Sequence, residues 1–254
     1  MSFSIITTVL NNEDFIIECL KSVKNQTIKK KDLEHIIIDG GSSDKTIEII
    51  KKFKKKNKYV KLYVKKNCSI YEGLNIGIKK TKNKFIGILH SDDFYNNNDI
   101  LSSVWQIFKS NKNLDLVYSN IKYAKRSNKE KIIRVFKSKK LFKNDLLKCE
   151  HPPHTSIFLK KNVFQKFGYY NENLSIASDF EFMLRIFVRH NVKSKFINIF
   201  SIIMRSGGKS TKSLKNIIIS NYQVYKSFKI NNLEINWIYI LLKMLRKMIK
   251  IKII

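Results

Sequence analysis

Residues 85–93 read FIGILHSDD, a short apolar run that stops at two neighbouring carboxylates. An apolar run of this length, bounded by polar residues, predicts a buried strand. Similar runs occur earlier, at residues 3–10, 33–39 and 60–64, and stretches with helical apolar spacing separate them. Strands that alternate with amphipathic helices predict an α/β domain whose sheet is mostly parallel and flanked by helices on both sides.

The segments that follow these strands are rich in Asp, Asn, Gly and Ser. Residues 39–44 follow the second strand, 67–75 the third and 91–93 the fourth. Each segment alone is explained by turn formation and helix capping, for which these residue types are usual. Ligands of parallel sheets bind at the carboxyl ends of the strands, however. We therefore expect the three segments to share one binding rim.

Asp92 and Asp93 are adjacent carboxylates at the end of the most apolar strand. They repel each other unless a positive group joins them, and a hard divalent cation suits this role. Side chains of successive extended residues point in opposite directions, so the two can divide their work. We expect one to bind a metal and the other a ribose hydroxyl.

Beyond residue 93 the pattern of elements continues less regularly. Asp99 can cap a helix, residues 116–120 form a predicted strand, and residues 121–135 are typical of an irregular hairpin. A further strand is predicted at 154–159. A helix that Asp179 opens carries a buried stripe at helical spacing. That stripe consists of Phe180, Met183, Leu184, Phe187 and Val188.

Composition restricts the classes of protein to consider. The chain has 254 residues, enough for one full α/β core and an appendage, and a net charge of +30 that favours a polyanionic partner. Nucleic acid, an anionic leaflet and a phosphorylated substrate all satisfy that charge. Three cysteines without Cys-x-x-Cys spacing indicate free thiols in a reducing compartment, and residues 3–10 are too short for a signal segment.

Five motifs in register give the chain a resemblance to a known family. Their sequences are IITTVLN at 5–11, IDGGSSD at 38–44, NIG at 75–77, ILHSDD at 88–93 and SDFEFMLR at 178–185. Together they resemble the motifs of family 2 glycosyltransferases over roughly residues 3–210. The resemblance implies the GT-A fold, a Rossmann-like mixed sheet, and inverting transfer of a sugar from a nucleotide donor.

The resemblance also implies roles for the matching positions. Thr8 and Asp39 would lie at the nucleotide, with Asp39 accepting a hydrogen bond from uracil, and Asp92 would approach the ribose. Asp93 would bind Mn²⁺ or Mg²⁺, and Asp179 would be the catalytic base. The donor expected for the family is a UDP-hexose or UDP-N-acetylhexosamine. The acceptor is a lipid-linked or lipopolysaccharide glycan, and the product is a surface polysaccharide.

Several of these residues have a plain structural alternative. Asp179 would also be a good N-cap without any catalytic duty, and Glu181 is a second candidate for the base. His151 and His154 suit substrate contact or an ordinary structural position equally well. Residues 205–210 suit a loop that closes over the diphosphate or a plain connection.

The domain boundaries follow from these patterns. We expect residues 1–212 to form the transferase domain, with a nucleotide-binding half at 1–120 and an acceptor half at 121–212. Residues 213–254 form a predicted helical extension whose apolar and basic residues lie on opposite faces. The apolar face holds Ile238, Leu241, Leu242, Leu245, Met248 and Ile249, and the basic face holds Lys243, Arg246, Lys247 and Lys250.

Such a helix suits an anionic membrane surface, although a helix packed on the domain or on a second copy is the alternative. We therefore expect a cytoplasmic enzyme held at the inner face of the cytoplasmic membrane. Charge alone also favours a nucleic-acid-binding protein, but aspartates on the binding rim would repel phosphates, so we expect no nucleic acid partner. A nucleotidyltransferase would usually have a glycine-rich, arginine-bearing loop at 11–14, where the chain reads NNED. No Gly-x-Gly-x-x-Gly follows a strand, which disfavours a dehydrogenase.

Overall fold

The computed structural model of the chain describes residues 2–207 and 213–251. Within these ranges the strands are β1 (Phe3–Val9), β2 (Leu33–Asp39), β3 (Val60–Val64), β4 (Phe85–Ile88), β5 (Phe94–Tyr95), β6 (Leu116–Lys125), β7 (Asn128–Phe136), β8 (Ile157–Lys160) and β9 (Ser194–Arg205). The α-helices are α1 (Ile16–Lys24), α2 (Thr46–Lys55), α3 (Ile70–Lys80), α4 (Ile100–Ser110), α5 (Lys143–Leu147), α6 (Lys161–Phe167), α7 (Ser178–Leu184), α8 (Leu214–Ile230) and α9 (Trp237–Ile251).

The described strands form one mixed sheet in the order β3-β2-β1-β4-β8-β6-β9-β5, with β7 added to β6. Neighbours from β3 to β4 run parallel, as do β6 and β9, so most paired residues lie in parallel ladders. β8 is antiparallel to both β4 and β6 and joins the two halves. The predicted mostly parallel sheet is confirmed, and the predicted hairpin is β6 and β7, with register shifts near Ala124.

The predicted start of β8 is wrong. Residues 154–156 form a 3-10 turn, and the strand begins at Ile157. The reason is local, because the backbone N–H and the hydroxyl of Ser156 both donate to the Pro153 carbonyl, at 2.9 and 2.7 Å. These bonds curl the chain before it can pair with β4.

Two apolar clusters cover the two faces of the sheet. Successive residues of β1 alternate between them, so Ile5 belongs to the cluster with α1 and α4, and Ile6 to the cluster with α3 and α7. Phe180, Met183 and Leu184 of the predicted stripe lie on α7, and Phe187 and Val188 lie in the π-helical turn Arg185–Arg189 that follows it. All five pack in the second cluster, where Phe180 meets Phe228 of α8 at 5.9 Å between ring centroids. Helices therefore flank the sheet on both sides, as predicted.

Helix α3 lies unusually close to β1. A Cβ atom added at Gly77 would stand 2.5 Å from Ile6 Cγ2, and one at Gly73 would stand 2.8 Å from Thr8 Cγ2. On its other side α3 is fastened to the segment before α7, because the Asn75 amide donates to the Tyr170 carbonyl at 2.9 Å and accepts from the Tyr170 N–H at 3.0 Å. α3 therefore connects the first strand to the segment that leads into α7.

Helix α9 packs against the domain through Ile240 and Lys243 and leaves other apolar residues outside. Ile240 is buried, and Lys243 Nζ lies 4.6 Å from the centre of the Phe180 ring. Ile238, Leu241 and Leu242, which the sequence places on the apolar face, are 40–54% exposed. Side chains of residues 245–251, and so Leu245, Arg246, Lys247, Met248, Ile249 and Lys250, lie outside the described part. Among the described residues, no helix has the length and apolar character to cross a bilayer.

A candidate active site at the strand ends

The predicted rim is formed by the adjacent ends of β2, β1 and β4. Thr8 lies beside Ile38, and Asp39 beside Val9, in the parallel ladder of β1 and β2. On the other side of β1, the Leu89 N–H donates to the Ile6 carbonyl at 3.0 Å, which brings the segment after β4 to the same edge. Across the rim, the Asn12 amide donates to Ser91 Oγ at 2.7 Å.

Asp39 is wholly buried and shapes the loop that follows it. Its Oδ1 accepts from the N–H groups of Gly41 and Ser42 at 2.8 and 2.7 Å, and its Oδ2 accepts from the Ser42 hydroxyl at 2.7 Å. Gly41 has φ +96°, a left-handed conformation that favours glycine. Oδ2 accepts a single hydrogen bond, and a carboxylate oxygen can accept two, so Oδ2 keeps a lone pair for the predicted contact with a base.

Asp92 and Asp93 lie in a set of charged side chains that we call the arginine cluster, which consists of Glu18, Asp92, Asp93, Arg126 and Arg205. Asp93 is buried, and its Oδ1 accepts from the Arg205 N–H at 3.0 Å. Asp92 is partly exposed, and its Oδ2 lies 2.9 Å from Arg126 Nη1. The Arg205 guanidinium donates to the Asp92 carbonyl and pairs with Glu18. Arginines thus supply part of the positive charge that the paired carboxylates require.

Burial raises the pKa of Asp93 well above its ordinary value, and the neighbouring charge of Asp92 adds to the effect, while Arg205 opposes it. Oδ2 of Asp93 has no hydrogen-bond partner among the described residues. The guanidinium carbons of Arg126 and Arg205 each lie 4.6 Å from the centre of the Phe15 ring. Sequence reasoning placed Arg205 in a candidate closing loop and did not single out Arg126. It paired neither with the aspartates, because the two arginines lie 113 and 34 positions beyond Asp92 and form no local pattern with it.

Asp179 lies at the second position of α7, in what we call the histidine cluster: Tyr71, His90, His151, His154 and Asp179. Ala177 is the N-cap of this helix, so the alternative that Asp179 is a plain N-cap is wrong. Its Oδ1 accepts from the Phe180 N–H at 2.9 Å and lies 3.2 Å from the Tyr71 hydroxyl, and its Oδ2 lies 3.3 Å from His154 Nδ1.

The histidine cluster keeps Asp179 ionised. Burial by itself would raise the pKa of Asp179, but the hydrogen bond and charge of His154, together with His151 and the Phe180 N–H, outweigh it and lower the pKa below its ordinary value. Burial lowers the pKa of His151 to about 4, and it also lowers the pKa of His90. The rings of His90 and His154 meet edge to face at 4.8 Å. Because His90 precedes Asp92 by two positions, this contact links the two clusters.

The structure also places the remaining candidates. Glu181 is buried, lies 3.0 Å from Arg185 Nε and accepts from the Asn231 amide at 3.1 Å. These contacts lie away from Asp179, which disfavours Glu181 as a base. His154 contacts the predicted base, an outcome that the sequence left open. Residues 208–210 of the predicted closing loop lie outside the described residues, and Arg205 at its start is built into the arginine cluster.

A divalent cation fits the arginine cluster as an open site. Mg²⁺ is usually held by one or two carboxylates together with substrate phosphates and water, rather than by a closed protein cage. Asp92 offers a partly exposed carboxylate, and Asp93 offers a buried oxygen without a partner. No group of three His, Cys, Asp or Glu side chains suited to a metal occurs among the described residues. The residues present therefore fit a cation that a bound diphosphate would complete.

Comparisons with known proteins agree with this geometry. A family model described as "Glycosyl transferase family 2" matches residues 4–168. The poly(ribitol-phosphate) beta-glucosyltransferase of Bacillus spizizenii is 29% identical over 204 residues, which are 72% of this chain and 32% of that protein. The chain thus spans about a third of the length of this relative.

Solved structures share the fold. TarS of S. aureus, residues 1–349 in complex with UDP-GlcNAc, superposes with a TM-score of 0.72 at 17% identity, over 97% of this chain and 72% of that one. The mannosyltransferase PcManGT of Pyrobaculum calidifontis, in complex with GDP-Man and Mn²⁺, gives 0.65 at 13% identity, over 90% of this chain and 67% of that one. Identities this low speak to fold alone, and they confirm the predicted GT-A architecture.

Proposed function

The chain belongs to glycosyltransferase family 2, and from this premise we propose that it is an inverting enzyme. It transfers a sugar from a nucleotide donor to a hydroxyl group of a glycan. The observation that carries the proposal is an ionised carboxylate, Asp179, linked through His154 and His90 to the paired carboxylates at the end of β4. Asp179 can take a proton, while Asp92 and Asp93 can hold the cation that binds a leaving diphosphate.

Asp179 removes the proton of the acceptor hydroxyl as that oxygen forms a bond to the anomeric carbon. The bond from this carbon to the nucleoside diphosphate breaks in the same step, and a single displacement inverts the configuration. The pair Asp92 and Asp93 would form the site for Mn²⁺ or Mg²⁺, with the direct ligand assigned below, and the cation would neutralise charge on a leaving diphosphate. Thr8 and Asp39 would contact the nucleoside.

Exposure supports a division of work between Asp92 and Asp93 that differs from the one the family resemblance implies. The Asp92 carboxylate is reachable and already binds a cation, the Arg126 guanidinium. The Asp93 carboxylate is buried and holds the backbone of Arg205. We therefore propose Asp92 as the direct metal ligand and Asp93 as its support.

The donor is the part of the proposal that is easiest to test. We expect a UDP-hexose or UDP-N-acetylhexosamine, an expectation in keeping with the UDP-GlcNAc bound by TarS. A panel of UDP-, GDP-, CMP- and dTDP-sugars, assayed for hydrolysis with Mn²⁺ present, should give turnover with a UDP-sugar. Calorimetry with UDP should show affinity that rises when Mn²⁺ is added. Turnover with none of the panel would contradict the proposed activity, and equal UDP affinity with and without metal would contradict the metal site.

The proposed acceptor is a lipid-linked or lipopolysaccharide glycan in the synthesis of a bacterial surface polysaccharide. Two observations support it. The net charge of +30 favours an anionic acceptor or membrane surface, and the relative in Bacillus spizizenii is named for a poly(ribitol-phosphate) polymer.

We further propose that α9 holds the enzyme against an anionic membrane. Its residues Ile238, Leu241 and Leu242 are exposed although they are large and apolar, while Ile240 on the other side is buried. An apolar helix face in a basic chain gains from acyl burial and from lipid charge. This arrangement would keep the enzyme at the cytoplasmic face of the membrane as a peripheral protein.

Substitution tests the membrane contact better than deletion, because Ile240 belongs to the core. Ile238→Ser, Leu241→Ser and Leu242→Ser together should abolish sedimentation with vesicles that contain anionic lipid and leave UDP affinity unchanged. A matched control replaces three exposed apolar residues of β7, Ile132, Ile133 and Val135, which are 39–44% exposed. Undiminished sedimentation of the α9 variant would show that another surface binds the membrane.

A further inference from the structure

The side chain of His154 enters the site on a rigid turn. Pro152 and Pro153 precede it, and the Ser156 N–H and hydroxyl both bond to the Pro153 carbonyl. Proline fixes its own φ and leaves its turn few alternatives. The turn brings His154 Nδ1 to 3.3 Å from Asp179 Oδ2.

We propose that His154 is a positioning residue for the transfer reaction, which fixes the orientation of the Asp179 carboxylate by donating to it from Nδ1. This inference rests on the proposed function, in which Asp179 is the base. It assigns His154 a role through Asp179 and gives it no part in taking the proton.

The accessibility of the two ring nitrogens supports this role over that of a base. Nδ1 faces the Asp179 carboxylate, and Nε2 is buried and has no hydrogen-bond partner among the described residues. The ring of His90 packs edge to face against the His154 ring. An acceptor hydroxyl therefore cannot reach Nε2 unless the histidine moves, whereas the Asp179 side chain keeps 19% of its surface exposed.

The neighbouring tyrosine does not make His154 redundant. The Tyr71 hydroxyl lies 2.7 Å from the Ile176 carbonyl and 3.2 Å from Asp179 Oδ1. It has one proton, so it can donate to only one of these oxygens at a time, and the shorter distance favours the carbonyl. The Phe180 N–H holds Oδ1 from the helix backbone. A second point of attachment, at Oδ2, is what stops the carboxylate from rotating about its bond to Cβ.

Two substitutions separate orientation from proton transfer. His154→Leu keeps an apolar side chain of moderate size and removes the donor, whereas His154→Asn keeps an N–H group near the position of Nδ1 and cannot accept a proton at Nε2. We expect His154→Leu to lower kcat about 10²-fold, the cost of a misplaced catalytic group, with the KM for the UDP-sugar within a few-fold. His154→Asn should recover at least about tenfold of that loss.

The exposed His190 provides a matched control, and His190→Asn should leave both constants unchanged. An unchanged kcat in His154→Leu would overturn the inference. So would a His154→Asn variant as inactive as His154→Leu, because that result would assign the proton to Nε2. If His154→Leu does not fold, the Asn variant decides alone, since a kcat within about tenfold of the parent supports positioning and a larger loss overturns it. The failure of the proposed base is seen separately, as turnover in Asp179→Asn.

Discussion

The arginine cluster and the histidine cluster both hold carboxylates, but with different partners. The Arg126 guanidinium pairs with Asp92, and the Arg205 guanidinium donates to the Asp92 carbonyl and pairs with Glu18. Both groups stay charged at every accessible pH. Asp179 is joined by His154, with His90 and His151 beyond it, and burial lowers the pKa of these last two. One cluster has permanent counter-charges, and the other has imidazole rings, two of which burial keeps from being protonated at neutral pH.

This difference suits two different tasks. A pair of carboxylates that awaits a cation needs a positive charge nearby until the cation arrives, and arginine provides it without changing its protonation. A base must be ionised yet able to take a proton, and a permanently charged partner in a low-dielectric site would hold that proton off too strongly. A histidine donates an N–H in a fixed direction, and its electrostatic field at the carboxylate is weaker than that of an arginine.

The largest effect should come from Asp179, the proposed base. Asp179→Asn keeps the shape of the side chain and can still accept from the Phe180 N–H, but it cannot take a proton. We expect kcat to fall about 10³-fold, while UDP affinity stays within a few-fold. Steady-state kinetics and calorimetry measure the two quantities, and the exposed Asp99→Asn is the control. Retained turnover would remove Asp179 from the mechanism.

The next effect concerns folding and applies to the arginine cluster alone. Arg205→Met keeps the backbone bond to Asp93 but removes the guanidinium that pairs with Glu18 and donates to the Asp92 carbonyl, so the buried Asp93 carboxylate loses a nearby positive charge. Such losses cost about 3 kcal/mol in the free energy of unfolding, which urea denaturation would measure. Arg189→Met, at an exposed position, should change little. A stable Arg205→Met variant would mean that the cluster does not depend on a permanent charge.

A smaller effect separates the two carboxylates of the arginine cluster. Asp92→Asn should remove most of the gain in UDP affinity that Mn²⁺ produces, about tenfold or 1.4 kcal/mol, because it removes the reachable oxygen. Asp93→Asn should keep more of that gain. Calorimetry with and without Mn²⁺ compares the two. If Asp93→Asn loses the gain and Asp92→Asn keeps it, the metal ligand is Asp93, as the family resemblance implies.

The smallest effect is a change in the pH dependence of stability. The folded pKa of Asp93 is raised, so the folded state binds more protons than the unfolded state between the ordinary pKa and the raised one. Stability of the metal-free protein therefore falls as pH rises through this window. Asp93→Asn should remove that fall, so its stability relative to the parent should rise from about pH 4 toward neutral. Urea unfolding with a chelator at several pH values tests this, and parallel curves would contradict it.

The sequence predicts the parts of the fold whose causes are local. β2 and β3 begin and end at the predicted residues, because turn residues bound each apolar run in this part of the chain. The rim could be predicted for the same reason. The partners of the aspartates could not, since Arg205 reaches Asp93 across 112 positions and Tyr71 reaches Asp179 across 108. Such contacts depend on how β9 and α3 pack against the rest of the domain, and the spacing of residues in the sequence does not predict that packing.

The hydrogen bonds between Asn75 of α3 and Tyr170 affect the order in which parts of the candidate site form during synthesis of the chain. Asn75 and Tyr170 are 95 positions apart, so their hydrogen bonds can form only after the ribosome has released the chain well beyond β8. Domains begin to fold from their N-terminal side during synthesis. The strands β1 and β2, which carry Thr8 and Asp39, and β4, which leads to Asp92, can therefore assemble while Asp179 is still unplaced. On the proposed roles, the residues expected at the nucleotide are therefore in place before the expected base.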